Sequence, residues 1–126
     1  MKIVIDTSMI IDNLRNGSSW RVFIESLESD VELFVPTIVF FEIYSGVSTR
    51  NAQMVKKIQK IFSHFQSIQI TETIARHAGE LFRDVSHDLG APDYIVAATA
   101  LEIGATIATL NHKHFQKIPG VRVYEW

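Results

Sequence analysis

Ala91-Pro92-Asp93-Tyr94-Ile95-Val96-Ala97-Ala98-Thr99-Ala100-Leu101-Glu102-Ile103-Gly104-Ala105-Thr106-Ile107-Ala108-Thr109-Leu110 is the longest apolar-looking stretch of the chain, and how it divides decides the fold. It has the length of a membrane span. Asp93 and Glu102 are costly in a bilayer, however, and Pro92 and Gly104 are turn residues. Pro92 suits a first helical position and Gly104 a helix stop. The stretch therefore reads as a buried helix over 92–103 followed by a strand over 106–109.

Outward from it the same alternation of strand and helix repeats. Residues 2–6 form a strand rich in β-branched residues, and Ser8 can cap a short helix carrying Met9, Ile10 and Leu14, ended by Asn16-Gly17. Ser18 or Ser19 can cap the next helix, where Trp20, Phe23, Ile24 and Leu27 recur at helical spacing. A second strand over 32–35 stops at Pro36, and Thr37 can cap a helix to about Val47. A basic helix over 52–64, a third strand over 67–70, and a helical face of Ile74, Ala78, Leu81, Phe82 and Val85 ending before Gly90 complete the middle. A short fifth strand is expected over 121–124. This pattern predicts a three-layer α/β/α fold, with a central parallel sheet of about five strands joined by right-handed crossovers.

Such a sheet gathers helix N-termini at the edge where its parallel strands end, which is where α/β folds place ligands. Asp6 ends the first strand, and Glu42 lies little more than a turn into the helix after the second. Asp93 opens the helix before the fourth strand, and Asn111 follows that strand. All four converge on one edge. Three carboxylates with no histidine or cysteine among them form the donor set that Mg²⁺ or Mn²⁺ selects. Without a cation their charges repel and their pKa values rise.

Each acid also has a plainer reading. Asp6 could close a strand and cap the following helix, and Asp93 could complement a helix dipole. Glu42 could face solvent, although Ser45 and Gly46 on its next turn leave room beside the carboxylate. Glu102 follows Asp93 by nine positions, on the opposite side of that helix, and is left out of the site. His64, His77, His87, His112 and His114 form no zinc-helix pair. There is no Gly-x-Ser-x-Gly elbow, no Walker loop and no Gly-x-Gly-x-x-Gly, so those enzyme classes drop out.

The bulk composition agrees with a single domain over 1–126: the chain has 126 residues, 47% of them hydrophobic. Cysteine is absent, which excludes thiol redox chemistry and thiolate zinc sites. An acid at position 6, after only three apolar residues, leaves no apolar signal-peptide core, and the expected location is the cytoplasm. The net charge of −2 gives no global attraction for nucleic acid. Between Glu42 and Glu72, however, no acid occurs, while Arg50, Lys56, Lys57 and Lys60 form a basic strip with His64 nearby. It is either the solvated face of an amphipathic helix or, with Arg15, a track for a phosphate backbone or an acidic partner.

The strings Ile3-Val4-Ile5-Asp6-Thr7-Ser8, Phe41-Glu42, Ala91-Pro92-Asp93-Tyr94-Ile95-Val96-Ala97-Ala98-Thr99-Ala100 and Thr109-Leu110-Asn111, leading to Phe115, resemble the PIN-domain family in order and spacing. Within it they most resemble VapC-type toxins of toxin-antitoxin pairs. The resemblance covers essentially the whole chain. It implies a metal-dependent endoribonuclease, homodimers, and a VapB-type antitoxin whose C-terminal segment fills the cleft. By motif, Asp6, Glu42 and Asp93 would be the catalytic and Mg²⁺- or Mn²⁺-binding acids, with Thr7, Ser8, Thr109 and Asn111 supporting them. Many PIN domains carry a fourth acid after strand four, but residues 109–115 contain none, which puts a tightly held second metal in doubt. Single-stranded or looped RNA is the expected substrate, and aromatics at Trp20, Phe40 and Phe41 are expected to be exposed for a partner's apolar segment.

Two other readings compete. One is an inactive PIN-like module that binds RNA or protein without cutting. The other is a phosphotransfer domain with Asp6 as acceptor, which lacks its usual Asp-x-Asp or late lysine here.

Overall fold

Ile3, Val4 and Ile5, the β-branched run at the N-terminus, have no exposed surface, as befits a strand covered on both faces. In the computed structural model, which describes residues 1–85 and 88–126, this strand is β1 (Lys2–Ile5). It pairs in parallel with β2 (Glu32–Pro36) on one side and β4 (Thr106–Ala108) on the other. Beyond β2 lies β3 (Gln66–Ile68), so the order is β3-β2-β1-β4, all parallel.

The helices are α1 (Thr7–Leu14), α2 (Ser18–Ser26), α3 (Thr37–Tyr44), α4 (Ala52–Phe62), α5 (Glu72–Asp84), α6 (Ala91–Ile103) and α7 (His112–Gln116), with a 3-10 turn at Val47–Arg50. The chain moves outward from β1 to β3, then returns across the sheet to β4. Right-handed crossovers therefore put the helices after β1 and β2 on one face, and α5 with α6 on the other. The direction reverses between β1 and β4, and such a switch point opens a crevice at the strands' C-terminal ends.

The expected fifth strand is reduced to one parallel bridge, Ile107 with Val123, held by Ile107 N–H to Arg122 O and Tyr124 N–H to Ile107 O. β4 itself has three residues, so a neighbour finds few backbone groups to pair with. β3 is also shorter than expected. Its Ile68 pairs with Pro36, the last residue of β2, and Gln69 has no further partner there because the chain turns into α3.

Helix α3 ends at Tyr44 rather than near Val47. Ser45 and Gly46 are weak helix formers, and the Thr49 hydroxyl captures the Tyr44 and Gly46 carbonyls at 2.9 and 2.6 Å. α6 is apolar nearly all round: Tyr94 and the run from Val96 to Ala100 are buried against neighbouring elements that include α5, α3 and β1. Gly104 closes it in the left-handed conformation, φ 67°, where a side chain would be strained. His87 lies outside the described residues.

Trp20 and Phe40 are packed rather than exposed. Trp20 lies against Phe23 and Phe65, and Phe40 stacks on Phe62 with centroids 4.0 Å apart. Of the three expected aromatics Phe41 alone is open, 68% exposed. The reason is long-range: α4 and the β3 entry supply the covering rings. No helix among the described residues is long and apolar enough to cross a membrane.

Candidate active site

The crevice at the β1/β4 switch point is built from residues far apart in the chain. Asp6 follows β1 as the N-cap of α1, but its side chain makes no capping hydrogen bond. Instead Oδ2 accepts from Ser8 Oγ at 2.8 Å and from Thr109 Oγ1 at 2.8 Å. Each hydroxyl has one proton and both protons point at Asp6, so the 3.3 Å Ser8–Thr109 approach is a contact rather than a third bond. Backbone groups set both hydroxyls, with Leu110 N–H on Ser8 Oγ and Asn111 N–H on Thr109 Oγ1, each 3.0 Å. Asp6 is only 3% exposed, and among the described residues no hydrogen bond reaches its Oδ1.

Glu42 reaches this place from the middle of α3, held by Thr7, whose Oγ1 donates to Oε1 at 2.7 Å. Burial pushes its pKa above the ordinary range; the Thr7 bond opposes this, and the charges of Asp6 and Asp93 add to the rise. Asp93, in the first turn of α6, is raised for the same first reason, burial, and then by Asp6. A backbone bond with Gly90, the N-cap, and the charge of His114 pull it back down. A first-turn acid tied to the residue three before it is the geometry of a capping box. The three acids therefore sit in one another's field.

They do not close on a single point. Among the described residues no group of three or more His, Asp or Glu stands close enough to share an ion. The donor chemistry nonetheless fits a hard cation: three carboxylates, two of them raised, beside hydroxyls and no sulfur. An ion held here would depend on side-chain adjustment.

The other expected residues are placed less evenly. Asn111 is exposed and caps α7 only through its backbone. Glu102 pairs with His77 at 2.8 Å, away from the acids. Lys57 Nζ is committed to the Leu14 carbonyl at 2.9 Å, whereas Arg50, Lys56 and Lys60 are exposed and form no ion pair among the described residues. His114 lacks zinc partners, yet its charge acts on Asp93. Its place just after strand four, where a fourth acid would fall, was the available signal.

Comparison with known proteins places the chain in a family. The PIN domain family model matches residues 3–121, nearly the full length. The chain belongs to the PIN domain family. Among curated PIN-domain relatives, Ribonuclease VapC19 of Mycobacterium tuberculosis is 30% identical over 123 residues, covering 94% of this chain and 96% of that protein. Ribonuclease VapC10 of the same organism is 31% identical over 116 residues, covering 90% and 85%. Two solved structures share the PIN fold. VapBC2 from Rickettsia felis bound to a promoter DNA fragment gives a TM-score of 0.86 at 23% identity, covering 100% of this chain and 99% of that one. A toxin-antitoxin complex from Klebsiella pneumoniae gives 0.78 at 26%, covering 98% and 99%.

Proposed function

We propose that this chain, as one PIN domain over residues 1–126, is a cytoplasmic Mg²⁺- or Mn²⁺-dependent endoribonuclease, the toxin of a pair with a VapB-type antitoxin. The observation that carries it is the buried Asp6 fixed by Ser8 and Thr109 at the switch point, with Glu42 and Asp93 in its field. The relatives named as VapC ribonucleases support the same activity.

Asp6, Glu42 and Asp93 would hold the metal. When bound, a divalent cation supplies the charge that acidifies an attacking water and stabilises the developing negative charge on phosphate and leaving oxygen. The chain's own residues position. Ser8 and Thr109 fix one oxygen of Asp6, which would leave the other for the cation, and Thr7 fixes Glu42. Arg50, Lys56 and Lys60, which form no ion pair among the described residues, offer charge to the RNA backbone. Exposed Phe41, Tyr44 and Val47, at 68%, 39% and 79%, offer an apolar face for the antitoxin or a second copy in a homodimer.

The absence of an acid at Asn111 and His114 and the open spacing of the carboxylates favour one alternative, a module that binds RNA without cutting. The deciding experiment is digestion of a small-RNA pool by metal-stripped protein, with and without Mg²⁺ or Mn²⁺, beside Asp93→Asn. Discrete metal-dependent products lost in the variant support the nuclease; tight binding without products supports the module.

A further inference from the structure

A groove of about 420 Å³ runs from Glu42 outward between α1, α3 and α4, inside the usual range of about 300–1,000 Å³ for small-ligand sites. Its walls are aliphatic: Ile11, Leu14, Ile43, Met54 and Ile58. Its rim is cationic. Arg15 lines it and, among the described residues, makes no ion pair and no side-chain hydrogen bond. Lys57 is not itself a lining residue but lies next to the groove, where its Nζ donates to the carbonyl of Leu14 in the wall. An ammonium has three donors, and among the described residues this is the one bond it makes.

Resting on the nuclease reading, we infer that this groove is a nucleotide subsite, taking one unpaired base of the RNA next to the scissile phosphate while Arg15 and Lys57 bind the flanking phosphates. Three features choose this occupant. Glu42 is one of its lining residues, so the groove adjoins the acids and lies within reach of a strand bound at them. Apolar walls suit the faces of a base, and the two cations suit the backbone on either side. The rim also carries the Ser48 hydroxyl, which has no hydrogen-bond partner among the described residues and can meet a base edge. Thr49 beside it can only accept, because its proton is spent on backbone carbonyls. With no aromatic ring in the walls, the subsite recognises the presence of a base more than its identity.

Gly46, on the rim, allows a direct test. Its φ is −71°, open to any residue, and an added Cβ would meet only Ile43 O at 3.4 Å and Ser48 Oγ at 3.9 Å. A phenylalanine there would fill part of the groove, and kcat reports any effect of the ring on Glu42, which lines the same groove. The substrates are a short single-stranded oligoribonucleotide, whose cut site wild type defines, and a series with one abasic nucleotide at each position. In wild type, an abasic nucleotide at one position beside the cut should raise KM about tenfold or more, with kcat little changed. Gly46→Phe should raise KM for the intact strand by a similar factor and show no further abasic penalty. Arg15→Gln, which leaves the groove open, should raise KM equally for intact and abasic strands. Unchanged KM in Gly46→Phe with the abasic penalty intact, or no penalty at any position, overturns the subsite and leaves the groove to an apolar segment of a protein partner. Failure of wild type to cut the intact strand sinks the nuclease reading instead, and fluorescence-anisotropy titration of intact and abasic strands then decides the subsite by the same comparison.

Discussion

Thr7 Oγ1 donates to Glu42 Oε1 at 2.7 Å, tying the first turn of α1 to the middle of α3 across thirty-five positions. Both residues stand beside Asp6, so one hydroxyl sets the aim of a half-buried acid and opposes the rise in its pKa.

Replacing that hydroxyl should therefore act through Glu42. Thr7→Val is expected to lower metal-dependent cleavage by about 10- to 100-fold, the usual cost of losing a group that orients a ligand. It should also move the acidic limb of the pH–rate profile to higher pH, with Thr7→Ser restoring both. A Thr7→Val profile that overlays wild type would remove Thr7 from the site.

Asp6→Asn and Asp93→Asn should each abolish cleavage while circular dichroism and thermal melting remain those of a folded protein. Substantial activity in both purified variants would dismiss the assignment of these acids.

The raised pKa values of Glu42 and Asp93 imply a stability signature in metal-free protein. A carboxyl whose folded pKa lies above its unfolded value keeps its proton longer when folded, so stability falls as pH climbs from the ordinary carboxylate range through the raised value. Glu42→Gln should consequently melt at a higher temperature than wild type at neutral pH, with the gain vanishing below about pH 4. Mg²⁺ or Mn²⁺ should raise the wild-type midpoint at neutral pH and do less for the variant. Equal melting of the two proteins at every pH would contradict the strain.

The exposed cations can be separated by salt. Lys56→Gln and Lys60→Gln should each reduce the slope of log K against log[salt] for single-stranded RNA by about 0.7 if each meets one phosphate. Lys57→Gln should in addition lower the melting temperature, because the Leu14 carbonyl loses its donor. Slopes unchanged in all three would return the strip to an ordinary solvated helix face.

A last prediction concerns the frame. Asp12 Oδ2 accepts from Trp20 N–H at 2.7 Å, supplying the side-chain cap that Gly17 cannot give α2. A Cβ at Gly17 would overlap the Asp12 carboxylate. Asp12→Ala should cost about 0.5–2 kcal/mol in chemical denaturation, and Gly17→Ala at least as much. Either variant unfolding like wild type would show the cap to be dispensable.

Much of this architecture was legible along the chain because its signals are local. β1, the split of the long apolar stretch at Gly104, and the stop at Pro36 all follow from residue type and spacing. What escaped depends on partners distant in sequence. The fifth strand shrank because β4 is short, and Trp20 and Phe40 were covered by Phe65 and Phe62. In the site, topology alone brought Asp6, Glu42 and Asp93 to one edge, whereas the roles of Thr7, Ser8 and Thr109 came only through the family resemblance. His114 escapes a search for metal ligands because its effect on Asp93 is one of charge across the fold.

The bond from Thr109 to Asp6 spans 103 positions. A chain still being synthesised holds Asp6, and later Glu42, long before the hydroxyl that aims Asp6 exists, and β4 docks only after α6 has been made. Assembly of the Asp6 site is therefore a late event in the life of each molecule, gated by completion of the sheet. An organism making such a protein has the whole of its translation in which a partner can arrive first.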